Sequence, residues 1–384
     1  MKNKIGVITF HESINYGAYL QAYALTNAVE KEVNIRTELV NYTPFYKKLF
    51  YYVKALSKLP KGEFIKHMKQ IAVFSKAQKQ LKLSKKITTS NYGKQCDFLN
   101  KNYKAIIVGS DEVLTAGKSR MMPFPNIYWP NEKVTIPKFT YAGSANRANY
   151  TKLPIEDQTI TKKIFENYRY IGVRDYYSQG QVLSLNKDLK TNINCDPTFL
   201  MDFNLEFTSH RDSLAKKFKK LTDKPIIAIM TKNNNIGLEI KKKFGKEYFL
   251  LAVYYPNDGA DYFIADMSPQ EWAVGFSLYA GCVTQLFHGT VFCLKNNLPF
   301  VSFDNNSDYD GRASKISDIL SRSDLLENYF NLRQNHVKID NMILQLEKNL
   351  EKPQKEKMIA AVENQKRLFY PFIDELKKVL NDIR

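Results

Sequence analysis

Cysteine is scarce in this sequence, and its spacing suggests no chemistry. Cys96, Cys195, Cys282 and Cys293 form no CxxC pair, and no histidine lies close enough to complete a zinc motif. A structural metal and a disulfide framework are therefore not expected. Cys282 and Cys293 sit in apolar runs and read as core thiols. Long apolar runs are missing too. The least polar stretch, 272–287, contains Ser277, Thr284 and Gln285, and it falls short of the roughly 18 residues that a membrane span needs. At the start, the apolar run covers only 5–10 and no small-residue cleavage site follows, so a secretory leader is not expected. These absences predict a cytoplasmic protein whose membrane contact, if it has any, is peripheral. The first strand-to-helix turn lacks a GxGxxG pattern, which removes the argument for a dinucleotide. Acid is locally absent as well: residues 47–94 hold thirteen lysines and one acid, Glu63.

What is present fits a folded enzyme-sized chain. The 384 residues suffice for two domains, and 44% hydrophobic with 25% charged residues excludes bulk disorder. Net charge is +18, and the segment 47–94 carries about two thirds of it. Such a run is either a solvated helical face or a surface for an anionic partner. No nucleic-acid motif accompanies it, so nucleic acid is not an expected partner. Composition alone slightly favours the solvated face; Phe45, Tyr46, Phe50, Tyr51 and Tyr52 at the start of the run suit an interfacial depth, which keeps peripheral contact of 45–94 with anionic lipid as the sharper alternative.

Hydrophobic periodicity places the elements. Residues 4–10 read as a buried strand, 18–32 as a helix and 36–41 as a second strand, an opening that implies a parallel sheet with covering helices. Two helices are predicted in the lysine-rich insertion, one before Pro60 and one carrying Ile65, Met68, Ile71 and Ala72. Strands follow at 104–108, 139–142 and 170–173, each running into a polar turn. A second set comprises 225–230, 249–254, 281–287 and 300–303. The polar stretch 203–224 reads as the linker between them. The predicted architecture is α/β, two Rossmann-like domains facing across a cleft in the glycosyltransferase-B manner. The N-terminal domain is 1–205 with a basic helical insertion at 45–100. The C-terminal domain is 220–340, and helices at 341–384 pack back across both.

Three turns offer chemistry. His288 ends a strand and starts a helix, where first-turn amides after Gly289 can meet a phosphate or carboxylate. Asn15 and Gly17 occupy the first strand-to-helix turn, where Asn15 holds a ligand hydroxyl or caps the helix. Asp111 follows the strand ending at Val108, where an Asp can cap the next helix or face a ligand. Ser268 and Glu271 flank Pro269 in the pattern of a capping box. His11 lies beside Glu12 in the first loop, and His67, His210 and His336 show no ligand spacing.

Read in order, NYGAYLQAYAL (15–25), AIIVGSDEV (105–113), VRD (173–175), CDPTFLM (195–201) and SPQEW with FHGTVFCLKNNLPFVSFD (268–304) resemble the successive motifs of the polysaccharide pyruvyl transferases. The resemblance implies a glycosyltransferase-B-like fold without a metal or cofactor. It implies phosphoenolpyruvate as donor substrate and a sugar or lipid-linked oligosaccharide as acceptor, with a pyruvate ketal as product. It casts His288 and Asp111 as catalytic, with Asn15, Gly17, Arg174, Gly289, Thr290 and Arg312 binding substrate. Arginine grips phosphate and carboxylate well, which gives Arg174 its role, the alternative being a salt bridge with Asp175 or another acid. An imidazole can act as acid or base near neutrality. The chain departs from the family at Leu286, where arginine or serine is usual, so Lys295, Arg312 or Lys232 is expected to supply a cation. Glu112 and Leu114 replace the family's glutamine and tryptophan. The competing readings are a nucleotide-sugar glycosyltransferase, with Glu271 or Asp304 as ribose ligand, and a relative that binds without catalysis.

Overall fold

The computed structural model describes residues 3–43, 64–117, 124–304, 314–334 and 337–383, of which 64–67 by backbone alone. The first of the two lysine-rich helices, and the aromatic residues before it, lie outside the described residues. The chain divides into two compact units. One comprises Met1–Gly62, Gln78–Met201 and Gln365–Arg384, the other Glu63–Ala77 and Asp202–Asn364.

The first unit holds six strands, β1 Ile5–Ile8, β2 Thr37–Leu39, β3 Ala105–Val108, β4 Lys138–Gly143, β5 Tyr170–Val173 and β6 Thr191–Ile193. All pairings are parallel, in the order β2-β1-β3-β4-β5-β6. The inner strands are buried end to end, the pattern of a parallel sheet covered on both faces. Helix Tyr16–Val33 links β1 to β2. Asn15 caps its start, and Asn34, left-handed at φ 54°, ends it. Trp129 sets its ring edge against Phe165 at 5.5 Å and against Tyr150 at 6.4 Å in the core. The last helix, Tyr370–Asp382, belongs to this unit, with Phe372 against Tyr141 at 4.7 Å and Tyr170 at 5.5 Å.

The second unit holds β7 Ile226–Met230, β8 Phe249–Val253, β9 Tyr262–Ile264, β10 Gly281–Thr284, β11 Phe300–Asp304 and β12 Tyr329–Asn331. They too are all parallel, in the order β12-β11-β10-β7-β8-β9. Helix Pro269–Gly275 starts with the expected capping box, Ser268 and Glu271 exchanging bonds. Trp272, Phe276 and Phe292 meet at centroid distances of 4.8–5.3 Å.

Three expectations about organisation change. The stretch read as a linker is helix Thr208–Leu221, with Leu214 and Phe218 buried. Only these two apolar residues, four apart, mark its inner stripe, too thin a signal against four lysines in 216–220. The lysine-rich insertion, read as wholly N-terminal, is divided. The backbone of Glu63–Ala77 groups with the second unit, while helix Tyr92–Asn102 lies in the first. The C-terminal helices are shared out as well, since helix Ile339–Glu351 buries Met342, Ile343 and Leu346 in the second unit's core. Among the described residues, no helix is long and apolar enough to cross a membrane.

In each sheet the chain reverses its direction of growth once, between β1 and β3 and between β7 and β10. Ligands of open parallel sheets bind beyond the carboxyl ends of the strands at such a switch point.

Candidate functional site

The carboxyl end of the first sheet is organised around a buried arginine. Arg174 follows β5, its backbone N–H donating to Gly143 at 3.1 Å. Its side chain is 3% exposed and lies 3.1 Å from Asp196 and 3.8 Å from Asp111. Burial opposes the guanidinium charge, and the carboxylates of Asp196 and Asp111 outweigh it, so its pKa is raised. Asp196 lies beyond β6, and its other oxygen accepts from Thr198 N at 3.0 Å and Thr198 Oγ1 at 2.7 Å. This explains the CDPT motif, in which Asp196 both caps a short 3-10 turn and anchors the arginine. Of the alternatives Asp175 or another acid as the salt-bridge partner, the structure shows another acid, Asp196. Asp175 caps helix Tyr176–Leu185 through Ser178 N at 2.7 Å and accepts from Ser144 Oγ at 3.0 Å.

Asp111 is the reachable member of this group, with its side chain 19% exposed. It stands at the start of a 3-10 turn but makes no capping bond. Its backbone has φ 79° and ψ −167°, a region almost confined to glycine and costing of order 1–3 kcal/mol. A bridge to Gly143 and a bond from Ser144 N at 2.8 Å hold it there. Glu112 beside it accepts from Asn146 Nδ2 at 2.9 Å. This edge thus presents carboxylates, which suit sugar hydroxyls and repel phosphate. Arg174, expected to grip the donor, is buried among acids instead.

The NYGA turn also resolves into structure. Asn15 Oδ1 accepts from Ala18 N at 3.1 Å as the helix cap, and Gly17 is buried in the first helical turn. Gln21, for which the sequence carries no signal, is buried at the β1–β3 switch point. It accepts from Ser110 Oγ, while Thr9 Oγ1 donates to the Ser110 carbonyl at 2.8 Å. His11 is buried, with Nδ1 3.2 Å from the Thr9 carbonyl.

In the second unit, β10 runs into helix Phe287–Lys295, with Leu286 at the cap position and no side-chain capping bond. His288 lies in the first turn, half-buried, its ring edge-on to Phe287 at 5.3 Å. The first N–H groups of a helix have no partner within it and point beyond its end. Gly289 is required by packing, because a Cβ there would lie 2.3 Å from Thr284 Oγ1. That hydroxyl accepts from Leu286 N at 3.0 Å and so shapes the turn. Thr290, expected to bind substrate, is buried. Its hydroxyl lies 2.8 Å from Ser302 Oγ and 3.2 Å from the Leu286 carbonyl, which ties the helix to β11.

Of the cations expected to compensate for Leu286, Lys295 lies over Phe203 at 4.4 Å, at the far end of its helix. Lys232 lies over Tyr255 at 4.7 Å, immediately beyond β7. Arg312 is outside the described residues. The two candidates for the ribose carboxylate of a nucleotide-sugar reading both already accept hydrogen bonds within the unit. Glu271 accepts from Ser268 N at 2.7 Å, and Asp304 from the Tyr329 hydroxyl at 2.7 Å. Leu114 is a core residue, 1% exposed, so the change from tryptophan affects packing. Among the described residues, no group of three or more His, Cys, Asp or Glu side chains could hold a metal ion.

The asymmetry of the two edges can be set beside known proteins. A model of the polysaccharide pyruvyl transferase family matches residues 15–307. No curated protein sequence matches the chain. Among solved structures, the UDP-GlcNAc 2-epimerase of Neisseria meningitidis bound to UDP-GlcNAc superposes with a TM-score of 0.58 at 10% identity, covering 98% of this chain and 99% of that one. A putative UDP-N-acetylglucosamine 2-epimerase of Listeria monocytogenes gives 0.55 at 9% identity, covering 100% and 98%. Anabaena HepE in complex with UDP gives 0.54 at 10% identity, covering 100% and 99%. Identities this low speak for the fold alone, and the fold is the glycosyltransferase-B-like α/β architecture that the sequence implies.

Proposed function

Because the chain belongs to the polysaccharide pyruvyl transferase family, we propose that it moves the pyruvyl group of phosphoenolpyruvate onto two hydroxyls of one sugar. The sugar belongs to a cell-surface polysaccharide or its lipid-linked precursor. The observation that carries this reading is the family match itself, which runs through both strand-end turns, from Asn15 past His288. The two edges support it by their chemistry: one presents carboxylates, the other a helix N-terminus with a histidine.

In the proposed reaction the methylene carbon of the donor takes a proton. One sugar hydroxyl oxygen bonds to C2 and releases its proton. The second hydroxyl oxygen bonds to C2 as the bond from C2 to the phosphate oxygen breaks. The ketal and inorganic phosphate result, the second hydroxyl's proton leaving with base or phosphate. Asp111 accepts an acceptor hydroxyl proton, and Arg174 positions it. His288 supplies the proton to the donor or stabilises the departing phosphate. The lysine-rich segment 47–94 is proposed to dock on anionic lipid. Co-sedimentation with anionic but not neutral vesicles at low salt is the expected result, and equal binding to both would remove that assignment.

The test of the function is a thermal shift with phosphoenolpyruvate, followed by phosphate release in the presence of candidate acceptors. The natural protein is expected to be stabilised. His288→Ala is expected to lose roughly 10²-fold or more in turnover, the range of a general acid or base. Stabilisation by a nucleoside diphosphate, and none by phosphoenolpyruvate, would replace this reading with a nucleotide-sugar one.

A further inference from the structure

The loop beyond β7 is fixed far more firmly than a surface loop requires. Lys232 is its exposed residue, and both neighbours are pinned. Thr231 Oγ1 donates to Gln285 Oε1 at 2.5 Å and accepts from Asn233 N at 3.0 Å. Asn257, 7% exposed, comes from the loop beyond β8. Its Nδ2 donates at 3.1 Å to the carbonyl of Thr231 and at 3.1 Å to that of Asn233, one on each side of Lys232. Its Oδ1 accepts from Gly259 N at 3.0 Å. The fastening leaves no room to spare: a Cβ on Gly237 would lie 1.7 Å from Asn257 Oδ1, and one on Gly259 would lie 2.0 Å from the Gly237 backbone. Buried polar groups satisfied in this way rigidify what they hold.

What the clamp presents is a cation. The Lys232 ammonium sits 4.7 Å from the centre of the half-buried Tyr255 ring, itself braced edge-on by Tyr254 at 4.5 Å. Among the described residues no carboxylate pairs with it, whereas Lys217, Lys241 and Lys243 of the same unit all have acidic partners. An aromatic face attracts an ammonium weakly and leaves its charge uncancelled. The position is the switch point of the second sheet, since β7 pairs with β10 up to Met230 and Thr284. Gln285 N donates to the Met230 carbonyl at 3.2 Å, so the Lys232 loop and the turn leading to His288 leave adjacent strands side by side.

We propose that Lys232, held over Tyr255, is the cation that binds the donor's anionic group in the second unit, and that Asn257 is its positioning residue. This rests on the pyruvyl transferase reading for the identity of the donor. It assigns the charge that Leu286 does not supply. The ligand class is a phosphate or carboxylate monoanion or dianion, with the ammonium leaving the ring to meet it.

Calorimetric titration with phosphoenolpyruvate and, separately, inorganic phosphate tests this on the full chain. Lys232→Ala is expected to weaken both by about 10- to 100-fold, the range for a charged hydrogen bond, and to flatten the salt dependence. Lys232→Arg is expected to recover most of the affinity. In turnover, KM for phosphoenolpyruvate rises by a larger factor than kcat falls. Asn257→Ala keeps the charge and is expected to weaken binding several-fold in the same direction. If it fails to fold, the lysine variants decide alone. Affinities within twofold of the natural protein in Lys232→Ala would overturn the proposal while leaving the pyruvyl reading in place. A natural protein that binds phosphate but not phosphoenolpyruvate, with phosphate binding lost in Lys232→Ala, would overturn the donor's identity and keep the cation. Binding of neither anion by the natural protein would remove both.

Discussion

At the carboxyl end of the first sheet the charges face one another. At that of the second, the exposed Lys232 pairs with no carboxylate among the described residues. Arg174 is buried between Asp196 and Asp111, and Asp175 is tied into a helix cap, so ionic groups hold the first edge in shape. At the second edge the fastening runs mainly through neutral groups, Asn257, Thr231, Gln285, Thr290 and Ser302, while the carboxylates of Asp304 and Asp258 accept from Tyr329 and Asn234. Its cation, Lys232, rests on a ring. The lesson concerns how charge is used. An ion pair that shapes a loop is no longer available to a ligand, whereas a loop shaped by amides and hydroxyls can offer its charge. The first edge therefore offers carboxylates, and the second an ammonium without an acidic partner among the described residues.

The comparison breaks most severely at Arg174. Arg174→Ala strands buried Asp196 without a counter-charge and is expected to cost about 3–5 kcal/mol, read as a shift in urea midpoint. The matching change at the other edge, Lys232→Ala, is expected to stay within about 0.5 kcal/mol of the natural stability. Equal losses at the two positions would erase the distinction between the edges. Next in size is Gly289→Ala. The added methyl meets the Thr284 hydroxyl, and overpacking of this kind costs about 1–3 kcal/mol. Thr284→Ala introduced beside it is expected to recover part of the loss, and strict additivity of the two changes would show that they do not meet. The smallest effect sharpens the role of Asp111. Asp111→Ala and Asp111→Gly both remove the carboxylate and are expected to abolish transfer alike. The glycine variant is expected to be more stable by about 1 kcal/mol or more, because it relieves the φ 79° backbone. An alanine variant as stable as the glycine one would remove the strain argument.

Much of the fold is legible in the order of the amino acids. β1, β3, β5, β7 and β10 are short apolar runs, and Ser268-Pro269 announces a helix start that the structure contains. Helix Thr208–Leu221 is not legible, because two apolar residues in a lysine-rich stretch give almost no periodic signal. In the candidate site, His288 stands out because it sits where a strand pattern becomes a helix pattern. Asp196 does not, because within CDPTFLM nothing local shows that its carboxylate meets an arginine 22 residues earlier. Arg174 is visible at the end of its strand, but its partners are not. Gln21 gives no signal at all, since a polar residue in a helix reads as exposed until a buried partner is known.

The sequence by itself determined where the inner strands and several helices form, which turns carry glycine and caps, and which family the motifs resemble, because all of these depend on residues near one another in the chain. Only the tertiary structure decided what those turns do. Arg174 meets Asp196, 22 residues away, because β5 and β6 are neighbours in the sheet. Thr231 meets Gln285 across 54 residues because β7 pairs with β10 after two intervening strands. Strand order is set by how whole apolar faces are buried together, and no local pattern encodes which charged side chain that burial will bring beside another.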